Sequence, residues 1–181
     1  MATENVKQVV PVPEGLSASL DGATLSIQGA KGTVTRSFLH PKIQLSVTSE
    51  GVELLAPKFT RFEKKMMNTF VAHIKNMFKG ASVGHHYKLK ICSGHFPMNV
   101  SLKGNTLEVK NFIGEAVPRT MTFKEGVTVK LNGDMIDVEG IDKEKTSQAA
   151  ASIEKLTRRN GFDRRIFQDG IYIVDKDGKH V

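Results

Sequence analysis

Two stretches of the chain, 82 positions apart, share one alternation of apolar and polar residues. ASLDGATLSI (18–27) and VSLKGNTLEV (100–109) match position by position, with Gly22 at the place of Gly104. Alternation at every second residue predicts strands, and a glycine between two such runs predicts a hairpin turn. Each of two repeats therefore contains an early β-hairpin.

The similarity between the repeats continues along the chain. TVTRSF (33–38) and AVPRTMTF (116–123) both predict strands, and IQLSVTSEGVELLAP (43–57) and VTVKLNGDMIDVEG (127–140) both predict hairpins. The second of these hairpins turns at an Asn-Gly pair, which suits a type I′ turn because both residues tolerate positive φ. The repeated unit is thus a set of antiparallel strands.

A helix closes the first repeat. Thr60 can cap its start, and Glu63 can reach back to complete a capping box. Gly80 is the predicted C-terminal stop. Helical spacing predicts a buried face at Phe62, Met66, Phe70, Ile74 and Met77, with Val71 and Phe78 beside it.

The second repeat ends in the same way, with a helix that is predicted to start near Asp142 and to stop by Gly161. Its predicted buried residues are Ala149, Ile153 and Leu156. Because strand hairpins precede a single helix in each repeat, the fold class is α+β: a tandem duplication of a small antiparallel sheet covered by one helix. The predicted domains are 1–81 and 82–181, with FKGASVGHHYK (78–88) as the connection.

Composition adds a charge bias to this architecture. The chain of 181 residues is 39% hydrophobic and 25% charged, with a net charge of +7 and a pI near 9.5. That excess favours anionic partners, nucleic acid first. A single cysteine, Cys92, excludes an internal disulfide, and no apolar run predicts a signal peptide or a membrane span. The predicted location is the cytoplasm.

The sequence holds no clear catalytic constellation, and the chain is predicted not to be an enzyme. GIDKEKTS (140–147) lacks the second glycine of a phosphate-binding loop, and GAKG (29–32) lies between predicted strands instead of helices. One metal-like set remains: His85, His86, Cys92 and His95. The strand predicted between them would separate the ligands by about 20 Å, so no metal is predicted.

The cationic residues are densest near the end of the chain. Four arginines and one aspartate lie between positions 158 and 165. Arginine binds phosphate oxygens with two parallel hydrogen bonds and stacks on bases. A solvated helix end would account for Arg158 and Arg159, but less well for Arg164 and Arg165, which follow a glycine. From residue types alone, both interpretations stay open.

Three stretches resemble the large-subunit ribosomal protein six family, in its archaeal and eukaryotic form. They are NTFVAHIKNMFKGASVGHHYKLKI (68–91), HFPMNVSLKGNTLEVKNFIGE (95–115) and RRIFQDGIYIV (164–174). The bacterial members end in a more glycine- and lysine-rich loop that this chain lacks, and its compact length favours the archaeal branch. The resemblance covers nearly the whole chain, including the duplication.

The resemblance implies a structural protein of the large ribosomal subunit with no catalytic activity and no cofactor. It implies binding to large-subunit (23S-class) rRNA near the sarcin–ricin loop and the stalk base, close to neighbouring ribosomal proteins and to the docking place of translational GTPases. The alternative is a non-ribosomal protein-interaction module that uses the two sheets. A third, enzymatic interpretation would need zinc at the His85–His95 set.

The family's RNA-contacting region maps onto the C-terminal part of this chain. The first repeat has no counterpart of this extension, which is predicted to form a strand pair turning at Asp169-Gly170. Arg158 and Arg159 are expected in the last turn of the preceding helix. The implied rRNA-binding residues are Arg158, Arg159, Arg164, Arg165, Lys176 and Lys179, with His95 of the SGHFPM loop (93–98) as a weaker candidate.

Overall fold

The computed structural model describes residues 6–57, 60–94, 96–163 and 165–181. The chain divides into two compact units, Met1–Gly84 and His85–Val181. The division falls three residues after the boundary proposed from the sequence, because the helix of the first unit runs further than its glycine suggested. No helix of the described residues is long and apolar enough to cross a membrane.

Unit 1 contains six described strands and one helix. Its two antiparallel sheets have the orders β1-β6-β5 and β2-β3-β4, and the helix packs on both. The core forms where inward residues of the strands, such as Leu25, Ile27 and Leu54, meet the apolar face of the helix. The elements are β1 (Val6–Val10), β2 (Ser17–Asp21), β3 (Thr24–Gly29), β4 (Gly32–Ser37), β5 (Gln44–Thr48), β6 (Gly51–Ala56) and α1 (Arg61–Ser82).

Unit 2 repeats this plan and adds a strand. Its antiparallel sheets have the orders β10-β9-β8 and β11-β12-β7-β13, and the core contains Leu89, Phe112 and Ile153. The elements are β7 (His85–Cys92), β8 (Asn99–Lys103), β9 (Thr106–Lys110), β10 (Arg119–Thr122), β11 (Val127–Asn132), β12 (Met135–Gly140), α2 (Lys143–Leu156) and β13 (Gly170–Lys176).

The predicted α+β class and the tandem duplication are confirmed. Strands β1–β6 and helix α1 recur in the same order as β7–β12 and α2, while β13 has no counterpart in unit 1. The strands of each copy divide into two small sheets. The predicted connection is wrong, because its first residues belong to α1 and its last to β7, which leaves only Val83 and Gly84 between them.

Helix α1 begins as predicted and ends later. Thr60 caps it, and its N–H donates to the Glu63 carboxylate at 3.1 Å, so the capping box is present. The predicted stop at Gly80 is wrong: that glycine is buried within the helix, and the chain turns at Gly84, whose φ is +89°. Phe62, predicted in the core, is 59% exposed because its position on the first turn faces away from the sheets.

The capping carboxylate gives unit 1 an acid-sensitive contact. Glu63 is only 1% exposed and accepts from Lys42 Nζ at 3.0 Å. The hydroxyl of Thr60 and then Lys42 lower the pKa of Glu63 from 4.5 to about 2. A carboxyl whose folded-state pKa is depressed stabilises the fold above its unfolded-state pKa. We therefore expect this contribution to be lost as the pH falls from about 4.5 to about 2.

Thermal unfolding of the wild-type chain and of a Glu63→Gln variant between about pH 5 and about pH 2 tests this expectation. The variant should have a lower melting temperature at the upper end of this range and a shallower decline towards the lower end. Glu14→Gln, which removes an exposed carboxylate, serves as the matched control and should follow the wild type. An unchanged decline in Glu63→Gln would show that the carboxylate of Glu63 does not carry the acid sensitivity.

Candidate nucleic-acid interface

Residues 157–169, named here the arginine loop, connect α2 to β13 in unit 2. The helix ends at Leu156, so Arg158 and Arg159 lie in this loop and not in the last helical turn as predicted. The predicted strand pair is also wrong. The first strand residue is Gly170, and β13 pairs with β7 instead of folding back on the loop. Arg164 lies outside the described residues.

Both ends of the arginine loop are tied to the body of unit 2. The buried hydroxyl of Thr157 donates to Glu154 O at 3.3 Å and accepts from the N–H of Ile171 at 2.9 Å. Near the other end, the Asp169 carboxylate accepts a hydrogen bond from the N–H of Gly94. The Thr157 hydroxyl is buried, and buried polar groups are costly to leave without partners, so its bonds hold the first end in place. The bond between Gly94 and Asp169 is exposed and joins the other end to a neighbouring loop.

Arg119, at the start of β10, holds the first residues of the loop. Its guanidinium forms two hydrogen bonds to Glu115, at 2.8 and 2.7 Å. The Nη1 group donates to the carbonyl of Leu156 at 2.7 Å and to the carbonyl of Arg158 at 3.3 Å. The same guanidinium lies over the ring of Phe112, 4.4 Å from its centroid. Arg119 thus satisfies a carbonyl at the helix end and orients the backbone that carries the exposed arginines.

The ion pair with Arg119 also changes the pKa of its partner, Glu115. The hydrogen bonds from Arg119 are the largest cause of the lowered pKa of Glu115, and the charge of Arg159 adds to it. Arg159 Nη1 lies 3.9 Å from Glu115 Oε1, so this carboxylate stands between two guanidinium groups. Glu115 stays ionised at neutral pH and places a negative charge beside Arg159.

An aromatic ring also packs against Arg159. Its guanidinium carbon lies 4.2 Å from the centroid of Phe162, and this ring meets Phe167 edge to face at 4.9 Å. Phe167 remains 41% exposed, and its neighbour Ile166 is 74% exposed. Phe167 thus leaves part of an aromatic ring accessible beside the arginines, on which a base could stack.

A groove of about 320 Å³ opens between the arginine loop, α2 and β13. One part of its lining is cationic, from Lys155, Arg158 and Arg159, and the other is aromatic, from four rings. Glu154 and Asp169 also reach it, so its charge is mixed. Arginine and aromatic groups together can bind phosphate and stack on unpaired bases. The aromatic residues are Phe112, Phe162, Phe167 and Tyr172.

Arg165 is more exposed than Arg159 but is engaged locally. Its side chain is 90% exposed, and its guanidinium pairs with the carboxylate of Asp163, with Nη2 at 2.7 Å from Oδ2. That pairing lowers the pKa of Asp163 and raises the pKa of Arg165. Exposed pairs of this kind are weak and salt-sensitive. A phosphate can therefore compete with Asp163 for Arg165.

Lys176 and Lys179 do not lie with the arginines. They flank a tight turn at the far end of β13, where the N–H of Lys176 donates to Lys179 O at 2.8 Å and the N–H of Lys179 donates to Lys176 O at 3.1 Å. The strand between this turn and the arginine loop has seven residues, which spans roughly 20 Å. The predicted residues therefore fall on two surfaces.

The SGHFPM loop is adjacent to the arginine loop. Gly94, in this loop, donates to Asp169, and Phe96 is 44% exposed. His95 itself lies outside the described residues. Gly94 is therefore a described residue of this loop that bonds to the arginine loop.

The described members of the metal-like set do not converge on one point. His85 is buried and its Nδ1 lies 3.0 Å from Asp177 Oδ2, whereas His86 faces Asp137 at 3.2 Å. Adjacent strand residues point to opposite faces, and Cys92 lies at the other end of the same strand, β7. Among the described residues, no group of three such side chains could hold a metal ion.

The sequence did not reveal Arg119 or the aromatic part of the groove. Arg119 stands alone in a predicted strand, about 40 positions before the loop that it holds, so no local pattern marks it. Phe162 and Phe167 were visible as aromatic residues among arginines. Such interleaving is a signal for nucleic-acid binding that could have been used.

A family model matches this chain twice, and similar proteins align with nearly its whole length. A family model described as ribosomal protein L6 matches residues 12–84 and again residues 96–170. A protein named large ribosomal subunit protein uL6 from Methanococcus vannielii is 41% identical over 174 residues, covering 96% of each chain. Its namesake from Ignicoccus hospitalis is 42% identical over 177 residues, covering 95% of each. That from Methanosarcina mazei is 42% identical over 173 residues, covering 96% of this chain and 98% of its own.

Proposed function

The chain belongs to the ribosomal protein L6 family, and we propose that its arginine loop binds the phosphate backbone of large-subunit rRNA. The protein is a structural constituent of the large ribosomal subunit and not an enzyme. Its place of action is the ribosome.

The observation that carries the proposal is the way Arg159 is held. Its guanidinium packs on the Phe162 ring at 4.2 Å and lies 3.9 Å from Glu115, next to a backbone that Arg119 holds by a hydrogen bond. A side chain that is oriented before binding loses less conformational entropy when it meets a phosphate. A merely solvated chain end would not need this support. Arg158, Arg159 and Arg165 are the described arginines proposed to contact RNA, with Arg164 beside them in sequence.

The chemistry favours recognition of RNA by shape and backbone. The major groove of an A-form helix is deep and narrow, so side chains cannot read base edges there. Arginines therefore bind phosphates, and the aromatic groove suits an unstacked base from a loop or bulge. Lys176, Lys179 and His95 are proposed as further contacts. Since the lysine turn lies roughly 20 Å away along β13, it would reach a different stretch of backbone.

The place on the subunit forms a finer part of the proposal. The resemblance to the family, and not the geometry of the groove, implies a contact near the sarcin–ricin loop. We place the contact near that loop and the stalk base, with neighbouring ribosomal proteins and docking translational GTPases close by. Hydroxyl-radical footprinting of the bound chain on large-subunit rRNA tests this placement. Protection confined to other regions would remove it while leaving rRNA binding intact.

Salt titration of the wild-type chain tests the binding itself. Each neutralised phosphate releases counterions, so the logarithm of the affinity should fall linearly with the logarithm of the salt concentration. Three or more arginine–phosphate contacts predict a slope of about −2 or steeper. Co-sedimentation with large subunits through a high-salt wash separates a ribosomal constituent from a non-ribosomal module. Affinity without salt dependence would contradict the phosphate contacts.

A further inference from the structure

Helix α1 of unit 1 carries an outer face made of basic residues. The opposite face, with Met67, Phe70 and Ile74, is buried against the sheets. At about 100° per residue, the basic positions fall within an arc of about 100°. The helix is 22 residues long, and the basic residues extend over roughly 27 Å of it. All of them are exposed: Arg61, Lys64, Lys65, Lys75 and Lys79.

This face carries no compensating acid from its own helix. Glu63 is the one acidic residue of α1, which the structure describes in full, and it points inward to pair with Lys42. The ionisable residues that α1 itself places on this face are therefore all basic. The corresponding helix α2 mixes signs, with Glu144 and Glu154 among its lysines. Mixed signs are the usual state of a solvated helix surface, so α1 departs from it.

Resting on the proposed function, we infer that the outer face of α1 is a second surface for RNA phosphates, in addition to the arginine loop. The basic residues form two clusters, one around Lys64 and one around Lys75, separated by about 16 Å along the helix. Small and polar residues lie between them, at Asn68 and Ala72. Such a surface neutralises successive phosphates without reading bases, because lysine acts as a point charge.

The structure favours RNA over an anionic membrane as the partner. An amphipathic helix that binds a membrane inserts its apolar face between lipid head groups. Here that face is occupied, because residues such as Met77 and Phe78 are buried in the core of unit 1. Phe62, on the first turn, is the large apolar residue of α1 that remains exposed, which offers too little area for insertion. The outer face of α1 can therefore attract a partner through its charge, and not through insertion of apolar residues.

The test compares two triple variants of the full chain that remove the same charge. The first is Lys64→Gln, Lys65→Gln, Lys75→Gln, on the outer face of α1. The control replaces three lysines that already pair with carboxylates: Lys7 with Glu53, Lys103 with Glu108, and Lys130 with Glu139. Glutamine is a good helix former, so α1 should stay intact. Equal melting temperatures of the two variants and the wild type would verify this.

The α1 variant should bind large-subunit rRNA roughly tenfold more weakly than the wild type, with a salt slope reduced by about two to three. The control should stay within about twofold of the wild type. Equal affinities of the two variants would overturn the inference. It would also be overturned if the α1 variant lost binding to phosphatidylserine vesicles while its rRNA affinity stayed unchanged.

A third variant separates this inference from the proposed function. If Arg158→Gln, Arg159→Gln weakens rRNA binding and the α1 variant does not, the arginine loop stands and the α1 surface is wrong. If the wild-type chain shows no salt-dependent binding to large-subunit rRNA, both proposals fail together. Losses in both variants, with the control unaffected, support two surfaces on one RNA partner.

Discussion

An Arg158→Gln, Arg159→Gln variant is expected to bind large-subunit rRNA roughly a hundredfold more weakly than the wild-type chain. The reason is that each charge-assisted bond to phosphate contributes about a factor of ten to the affinity. Arg159 is already oriented by Phe162 and Glu115, so little entropy is lost on binding. The salt slope should fall by about two. Titrations of the chain against rRNA at several salt concentrations measure both quantities.

The matched control is Lys103→Gln, Lys110→Gln, which removes two charges that lie near Glu108 at 2.8 and 3.6 Å. It should change the affinity by no more than about twofold, because exposed pairs contribute little to a distant contact. Equal losses in the two variants would mean that net charge, and not the arginine loop, drives binding. Arg165→Gln offers a comparison within the loop. Its loss should stay under about tenfold, because phosphate has to displace Asp163 from Arg165.

The sequence was most informative where a local pattern determines structure. The glycine turns and alternating strands of the two repeats predicted the duplicated α+β plan, and Thr60 and Asp142 marked the starts of both helices. These signals involve residues only a few positions apart, so they survive in any tertiary context. The ends of the helices were harder to predict from the sequence. Gly80 lies buried inside α1 and does not end it, whereas the turn itself needs the positive φ of Gly84.

The strand pair predicted at the arginine loop was wrong for a different reason. The stretch after Gly161 reads as alternating, and a strand pair was predicted, yet β13 finds its partner in β7, some 80 positions earlier. Sequence spacing cannot choose between a neighbouring and a distant partner strand. That choice has a functional consequence. Because only β13 enters the sheet, residues 157–169 remain outside it as a loop that displays arginines.

Long-range contacts define the remainder of the site. Composition identified the four arginines, but whether they are held or merely solvated depends on groups that are remote in sequence. Gly94 bonds to Asp169, Arg119 bonds to the carbonyl of Arg158, and Thr157 bonds to Ile171. None of these pairs follows from periodicity or spacing. They appear only once the strands are paired, and they turn a basic segment into a surface with fixed geometry.

A variant of Arg119 distinguishes a residue that touches RNA from a residue that positions other side chains. Arg119→Lys keeps the positive charge but loses the planar fork that bonds Glu115 twice and also reaches the carbonyl of Leu156. The unfolding free energy should fall by about 1–3 kcal/mol, the usual effect of losing hydrogen bonds to charged groups. With Arg158 and Arg159 less well held, rRNA affinity should fall by more than about tenfold, approaching the loss in the double variant.

The slope of affinity against salt concentration shows whether a residue binds phosphate or positions other residues. A phosphate ligand that is removed lowers the slope, whereas a positioning residue lowers the affinity and leaves the slope unchanged, because a lysine in place of Arg119 keeps the charge. The Arg158→Gln, Arg159→Gln variant should therefore lose affinity and slope together, and Arg119→Lys should lose affinity alone. Since Arg119 is 23% exposed and fully engaged within unit 2, it has little surface left for a phosphate. Wild-type affinity in Arg119→Lys, with a lowered melting temperature, would restrict Arg119 to stabilising the fold.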